Sequence, residues 1–354
     1  MVGLFKNILR DDESLFLNPQ FLDFDFQPKL IKFRETQQKQ IAFCIKPLLD
    51  KRSGKNILVT GKPGIGKTVT LKNVLDELEQ DYSDNIYTLY VNCWKKDSTF
   101  KVISEICEQV GYKYTFNRST EDLLKSAKEI INKKSCVIVL DEIDKLQENS
   151  IVYTLLEEIF RKTLILITNE KDFLVYLDDR IKSRLLPEII DFQPYKYNET
   201  KEILRERAKY AFVQDVLDEE ALSLIAQKSF EMKDVRLGIS LLKEAGEFAE
   251  VKSSRKILEE HTKEAIERFS FIKNKDLDEQ DKKILSLLKD NDKKTLTEIF
   301  SVYESSGGTK SYRTFHRRVK DLEKYELFTV KEITKGAGRS SIVEINQSKI
   351  KDFT

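Results

Sequence analysis

A chain of 354 residues, with 40% hydrophobic and 34% charged residues, has a core-forming, salt-bridge-rich composition and room for two or three domains. Its formal net charge of +1 excludes a global positive field, so a nucleic-acid surface would have to be a local patch. Only 12 Gly and 6 Pro argue against long flexible linkers, and no apolar run approaches the ~18 residues that span a bilayer, so no membrane partner and a cytoplasmic location are expected.

In the first 30 residues, Phe16, Phe21, Phe24 and Phe26 predict an extended aromatic arm packing on the core, because Pro19 and Pro28 break any helix. A helix is predicted from 33 to about 49; on it, Arg34 and Gln37 either face a bound adenine or form its exposed face. Four cysteines, Cys44, Cys93, Cys107 and Cys136, form no C-x-x-C pair, which leaves zinc and redox motifs unsupported.

From 55 to 192 strand and helix patterns alternate, with strands predicted at 56–60, 86–91, 136–140, 164–168 and 188–192. The middle runs are continuously apolar, as in a parallel sheet covered on both faces. Two helical patterns, 99–110 and 120–132, stand between the second and third strands. After the first strand comes Gly61-Lys62-Pro63-Gly64-Ile65-Gly66-Lys67-Thr68, the spacing G-x-x-x-x-G-K-T, and Val69 continues into a helix. Glycines let backbone N–H groups turn toward a phosphate, and the helix dipole adds positive potential there. Residues 61–69 are therefore the predicted ATP or ADP cradle. Lys67 would reach the β- and γ-phosphates, and Thr68 would hold Mg²⁺ through its hydroxyl.

The third strand ends in Asp141-Glu142-Ile143-Asp144. Asp141 is predicted to serve Mg²⁺, directly or through water, and Glu142 to polarise the attacking water. Asn169 closes the next strand and could orient that water. Arg180 and Arg184 share one helical face, and either could act as an arginine finger toward a neighbouring subunit. From 196 to 273 only amphipathic helices are predicted, with Asp218 as an N-cap and Arg236 in the third, where it could close a lid on the phosphate. After a polar linker at 274–280, three helices (282–288, 296–303, 311–325) precede two strands (327–333, 341–345) around a glycine-flanked tip, which describes a winged helix–turn–helix. Its third helix places Phe315, Val319 and Leu322 at core spacing. Arg313, Arg317, Lys320 and Lys324 lie on another face, with His316 and Arg318 beside them. From Lys310 to Arg339 nine Lys or Arg stand against four Asp or Glu. Lys310, Arg313, Arg317, Arg318, Lys320, Lys335 and Arg339 are the predicted contacts to double-stranded DNA.

In this order, the P-loop, Asp141-Glu142, Asn169, the 177–184 segment with Phe192-Gln193-Pro194-Tyr195, and Asp234-Val235-Arg236 resemble the AAA+ superfamily. Val91-Asn92-Cys93, the doubled helix after it and the winged helix narrow the resemblance to archaeal replication initiators related to eukaryotic origin-recognition and cell-division-cycle loader proteins. It covers nearly the whole chain. It implies an α/β fold: an AAA+ P-loop parallel-sheet domain (1–195), a helical lid (196–273) and a C-terminal winged-helix domain (274–354). Asp141 and Glu142 would be the Walker B pair, Asn169 sensor 1 and Arg236 sensor 2. It implies slow, regulatory ATP hydrolysis, binding to origin repeats, recruitment of the replicative helicase, and assembly on DNA with itself or paralogous initiators. The doubled helix matches an insertion that touches DNA in that family. Lys62, Ile65 and Lys233 depart from the commoner residues. The rival expectations are a nucleotide-switched regulator of transcription or transposition, which would not bind origin repeats specifically, and a clamp-loader-like motor, which would hydrolyse ATP briskly.

Overall fold

Short apolar runs separated by amphipathic helices can bury both faces only by stacking into layers, and this chain does so around a parallel sheet. The computed structural model describes residues 14–24, 26–28, 30–275, 279–308, 310–323, 328–335 and 338–345, with the backbone alone for 270–275, 279, 282, 332–335 and 338–340. The elements run α1 (Glu35–Ile45), β1 (Ile57–Thr60), α2 (Lys67–Tyr82), β2 (Ile86–Asn92), α3 (Thr99–Gln109), α4 (Thr120–Ile131), β3 (Ser135–Asp141), α5 (Ser150–Glu158), β4 (Lys162–Ile167), α6 (Asp179–Leu185) and β5 (Glu188–Asp191). Helices α7 (Tyr197–Ala211), α8 (Glu219–Met232), α9 (Val235–Val251) and α10 (Glu259–Lys275) follow, then α11 (Glu279–Asp290), α12 (Leu296–Ser305), α13 (Tyr312–Leu322), β6 (Phe328–Lys335) and β7 (Gly338–Ile345). Two compact units result, one up to Thr262 and one from Lys263.

In the first unit the strand order is β2-β3-β4-β1-β5, all parallel. Strand β3 is buried at every residue, which explains its unbroken apolar run. Successive side chains part to opposite faces. Ile138 and Leu140 join the core under α3 to α6, while Val137 and Val139 join the one under α1 and α2. The register pairs Val59 with Ile167 and Leu140 with Leu166, so the carboxyl ends of β1, β3 and β4 lie side by side. Open α/β sheets bind ligands outside this edge.

The predicted helix from 33 is shorter at both ends. Phe33 takes a left-handed φ of 63° and Arg34 is the N-cap, so α1 starts at Glu35; Pro47 turns its far end into a single 3₁₀ turn. Within the predicted linker, α10 continues to Lys275 and α11 begins at Glu279. The aromatic arm packs across the helical part of the same unit: Phe16 lies 4.9 Å from Phe212 and Phe21 5.3 Å from Tyr210, ring to ring. Phe24, expected inside, is 69% exposed.

In the second unit, Ile284, Leu288, Ile299, Tyr303, Phe315, Val319, Phe328 and Val343 form one core between α11, α12, α13 and the antiparallel β6–β7 hairpin. Thr295 also forms an isolated antiparallel bridge to Ile342, the Lys293 amide donates to the Val343 carbonyl at 2.9 Å and the Val343 amide to the Lys294 carbonyl at 3.1 Å, so the segment before α12 runs beside β7. The sequence pattern carried no sign of it, since one bridging residue leaves no alternation.

Candidate functional site

The loop between β1 and α2 is built on glycines that no other residue could replace. Gly64 and Gly66 have φ of 75° and 93°; a Cβ on Gly64 would lie 1.9 Å from the Asp234 carboxylate, and one on Gly66 2.7 Å from the Tyr195 hydroxyl. Ile65 between them is 1% exposed and plugs the α2-side core, so this departure from the commoner pattern anchors the loop. Lys62 and Pro63 face outward, and Val69 is half-buried in the first turn of α2. The first N–H groups of α2 point out of that helix end, an anion-binding geometry.

Lys67, 7% exposed, donates to the Gly61 carbonyl at 2.6 Å, the Lys62 carbonyl at 2.8 Å and Asn169 Oδ1 at 2.8 Å. Burial, assisted by Arg236 and opposed by Asp141, Asp144 and Glu142, brings its pKa down to about 8. Thr68 Oγ1 donates to Asp141 Oδ2 at 2.7 Å, and Tyr90 donates to the same oxygen at 2.7 Å. The other oxygen of Asp141 accepts from the Glu142 amide at 2.9 Å. Burial beside Asp141 pushes the Tyr90 phenol above its ordinary value.

Glu142 sits in a left-handed conformation, φ 54°, just past the end of β3. Burial, with Asp141 and then Asp144 nearby, raises its pKa above the usual carboxylate value; Lys145 and Arg236 work against that. Asp144 turns away to accept from Thr168 at 2.9 Å and to pair with Lys145 at 2.7 Å. A carboxylate of raised pKa beside a lysine-lined anion cradle suits proton abstraction from water.

The lid reaches the same place. Val235 donates its amide to the Gly64 carbonyl at 3.1 Å, and Asp234 caps α9 by accepting from the Arg236 amide at 2.8 Å. Arg236 keeps its guanidinium 3.4 Å from Asp234 and is close enough to influence both Lys67 and Glu142.

Arg34 does not lie on an exposed face of α1, one of the two readings the sequence left open. Its guanidinium, 5% exposed, donates to the carbonyls of Ile65 at 2.8 Å and Gln193 at 2.7 Å and lies 3.8 Å over the Tyr195 ring. Two carbonyls and an aromatic face make it a brace for the loop. On α6, Arg184 pairs with Glu157 at 2.8 Å and stacks 5.2 Å from the Tyr153 ring. Arg180 is exposed, and its guanidinium has no partner among the described residues. Tyr90 had no signal in the sequence to single it out, and Asp234 and Tyr195 stood in resemblance motifs with no role of their own; the contacts of all three depend on strand register and on the lid's seat.

In the second unit, Ser311 precedes α13, whose buried face is Phe315, Val319 and Leu322. Lys310, Arg313, Arg317 and Lys320 are exposed, and their side chains have no partner among the described residues. Arg318, predicted to join them, is held by Asp281 of α11 at 2.7 Å with 25% of its side chain exposed, because its position beside Val319 turns it toward that helix. Lys335 pairs with Gly338 and Arg339 with Thr334 in the hairpin backbone. Lys324, Gly336 and Ala337 lie outside the described residues. Among the described residues no helix is long and apolar enough to cross a membrane.

Residues 50–177 match the AAA domain family, and residues 201–267 match the Cdc6 AAA+ ATPase-type lid domain. The first unit is accordingly an AAA+ ATPase module, which binds and hydrolyses nucleotide. The chain is 30% identical to the ORC1-type DNA replication protein of Methanosphaera stadtmanae, over 96% of this chain and 94% of that protein. It is 34% identical to the ORC1-type DNA replication protein of Pyrococcus abyssi, over 75% of this chain and 68% of that protein. Among solved structures, the Aeropyrum pernix ORC1 protein in complex with DNA is similar with a TM-score of 0.67 and 25% identity, covering 96% of both chains.

Proposed function

Because this chain belongs to the ORC1-type DNA replication proteins, we propose that it is an ATP-switched initiator that binds origin repeats in double-stranded DNA and helps recruit or load the replicative helicase. The observation that carries the DNA half is the row Arg313, Arg317 and Lys320, exposed on the helix of a winged-helix unit that would enter a major groove, with exposed Lys310 just before its N-cap Ser311. The relative from Aeropyrum pernix is a DNA complex, which supports this reading.

In the ATPase half, the N–H groups of the 61–69 loop and the Lys67 ammonium would take the β- and γ-phosphates, exchanging the carbonyls that Lys67 holds in this structure. Water would add to the γ-phosphorus as the β–γ bridging P–O bond breaks, and Glu142 would take the proton. Asn169 is suited to orient that water, and Arg236 to bring the lid against the phosphates. The donor set also fits Mg²⁺. Among the described residues no three His, Cys, Asp or Glu gather as a metal cage, but Mg²⁺ typically takes one or two protein oxygens plus phosphate oxygens, and Thr68 with Asp141 offers that. Bound there, it would neutralise charge developing on the phosphate oxygens. Of the two candidate fingers, Arg180 is favoured for a neighbouring copy or paralogue on DNA, because Arg184 already serves Glu157. Nucleotide would act as a switch through its different affinity for two conformations, with slow hydrolysis as the reset.

Tiles of double-stranded DNA across the host replicon, bound at physiological salt with and without ATP, test the proposal. Tight binding at a few repeats, lost in Arg313→Ala/Arg317→Ala and altered in Lys67→Ala, is expected. Weak binding everywhere, indifferent to both arginines, would sink the winged helix as a DNA reader.

A further inference from the structure

We infer that Tyr90 is a positioning residue for the cation-linked half of the nucleotide site, and that Gln109 holds it in place from outside the sheet. The inference rests on the reading that Thr68 and Asp141 serve Mg²⁺.

The argument starts from what a threonine hydroxyl can do. It has one proton and two lone pairs. If the proton is donated to Asp141 Oδ2, as here at 2.7 Å, both lone pairs face away from the carboxylate and are available to a cation. That requires Asp141 to keep the same oxygen turned to Thr68. A carboxylate held by one bond can rotate. This one is held by three: Thr68 and Tyr90 on Oδ2, and the Glu142 amide on Oδ1. Of the three, only Tyr90 acts from a different strand. It reaches because β2 lies beside β3 with Asn92 opposite Asp141, which puts Tyr90 two residues back along the neighbouring strand. Lys72 of α2 sits 5.0 Å over its ring and encloses it on that face.

Strand β2 is the edge of the sheet, and an edge residue has a free N–H and C=O. At Tyr90 both are taken by one side chain. The Gln109 amide accepts from the Tyr90 N–H at 2.9 Å and donates to its carbonyl at 2.7 Å, as a further strand would. Gln109 is the last residue of α3. A continuous line of hydrogen bonds thus runs from the end of α3, through the backbone of Tyr90 and its hydroxyl, to Asp141 and Thr68. A tyrosine kept only for packing would need neither the hydroxyl contact nor the clamp.

Binding of a fluorescent ATP analogue to the full chain separates the possibilities. It is measured in EDTA and across a Mg²⁺ titration for wild type, Tyr90→Phe and Gln109→Ala, with the unfolding temperature of each. Tyr90→Phe is expected to leave affinity in EDTA within about twofold of wild type and to raise the half-saturating Mg²⁺ concentration about tenfold, the usual scale for losing a group behind a metal ligand. Gln109→Ala, an exposed substitution that keeps the core intact, should move Mg²⁺ in the same direction by less. An unmoved Mg²⁺ midpoint in both variants overturns the inference, as does an equal loss of affinity in EDTA. A wild type whose nucleotide binding ignores Mg²⁺ would overturn the underlying reading of Thr68 and Asp141 instead.

Discussion

The two charged regions of this molecule are built in opposite ways. At the nucleotide site almost every charge has an internal partner: Lys67 holds two carbonyls and Asn169, Arg34 holds two carbonyls, and Asp141 accepts three donors. On α13 and just before it the cations Lys310, Arg313, Arg317 and Lys320 stand in solvent with no partner among the described residues. The difference follows from the partner each region serves. A buried charge must be bonded at all times, so a pocket for phosphates is held ready by its own carbonyls and exchanges them when the ligand arrives. An exposed charge is already solvated, and it gains on DNA by releasing counterions from a long polyanion.

The sharpest test of the internal half is Glu142→Gln. If its neighbours only brace the loop, little should change. If Glu142 is the base, hydrolysis should fall about 10²- to 10⁴-fold with nucleotide affinity retained, as steady-state turnover and direct binding would report. Because the Glu142 pKa is raised, the wild-type rate should fall away on the acid side at a pH above the ordinary carboxylate value. A rate flat through that region would remove Glu142 from the role.

For the exposed half, Arg313→Ala/Arg317→Ala should weaken double-stranded DNA about 100-fold and flatten the dependence of log K on log salt by about 2, read by anisotropy at several salt concentrations. ATP hydrolysis without DNA should stay as it is. Loss of affinity with an unchanged salt slope would mean these arginines do not meet phosphates, and the contrast with the core would fail.

A smaller effect with an unusual sign is expected at Lys67. Its pKa is down to about 8 in the fold from an ordinary 10.5, so the folded chain carries a penalty for the buried ammonium. That depression corresponds to about 3 kcal/mol at most, and the lost bonds to carbonyls offset part of it. Lys67→Met should therefore stabilise the nucleotide-free protein by about 1–2 kcal/mol at pH 7 while abolishing tight nucleotide binding. A group whose folded pKa is below its unfolded one binds fewer protons when folded, so the penalty is complete below about pH 8 and fades toward 10.5. Urea unfolding at pH 7 and pH 10 should show the gap between variant and wild type closing. A wild type more stable than Lys67→Met at pH 7 would show that the carbonyls outweigh the burial.

How much of this could be read from the residues alone depended on distance along the chain. The P-loop was legible because its glycines, Lys67 and Thr68 are contiguous and lie between an apolar strand and a helix. Asp141 and Glu142 were legible because they end an apolar run. Tyr90 was not, because its contact depends on the register of β2 on β3, which neither strand states by itself. Arg180 and Arg184 share one helical face and look alike in the sequence; that Arg184 pairs with Glu157 and Tyr153, from the preceding helix, shows only in the fold. The bonds of Arg34 to Ile65 and Gln193 and its stacking on Tyr195 were not legible, since they join residues far apart in sequence.

Arg318 gives the finest version of the contrast, because it lies next to exposed Arg317 on α13 yet is treated like a residue of the core. Its pair with Asp281 is about three-quarters buried on both sides, 25% and 21% exposed. Water still screens part of that attraction, so Arg318→Ala should cost about 1 kcal/mol of stability, a small shift in a urea titration. It should leave DNA affinity within about twofold of wild type, while Lys320→Ala, two residues on and exposed, weakens binding and lowers the salt slope by about 1. A tenfold loss of DNA affinity in Arg318→Ala, without a matching loss of stability, would mean that Asp281 releases it on DNA. The exposed row would then extend one position further around the helix, and the line between bonded and waiting charge would have to be redrawn within α13 itself.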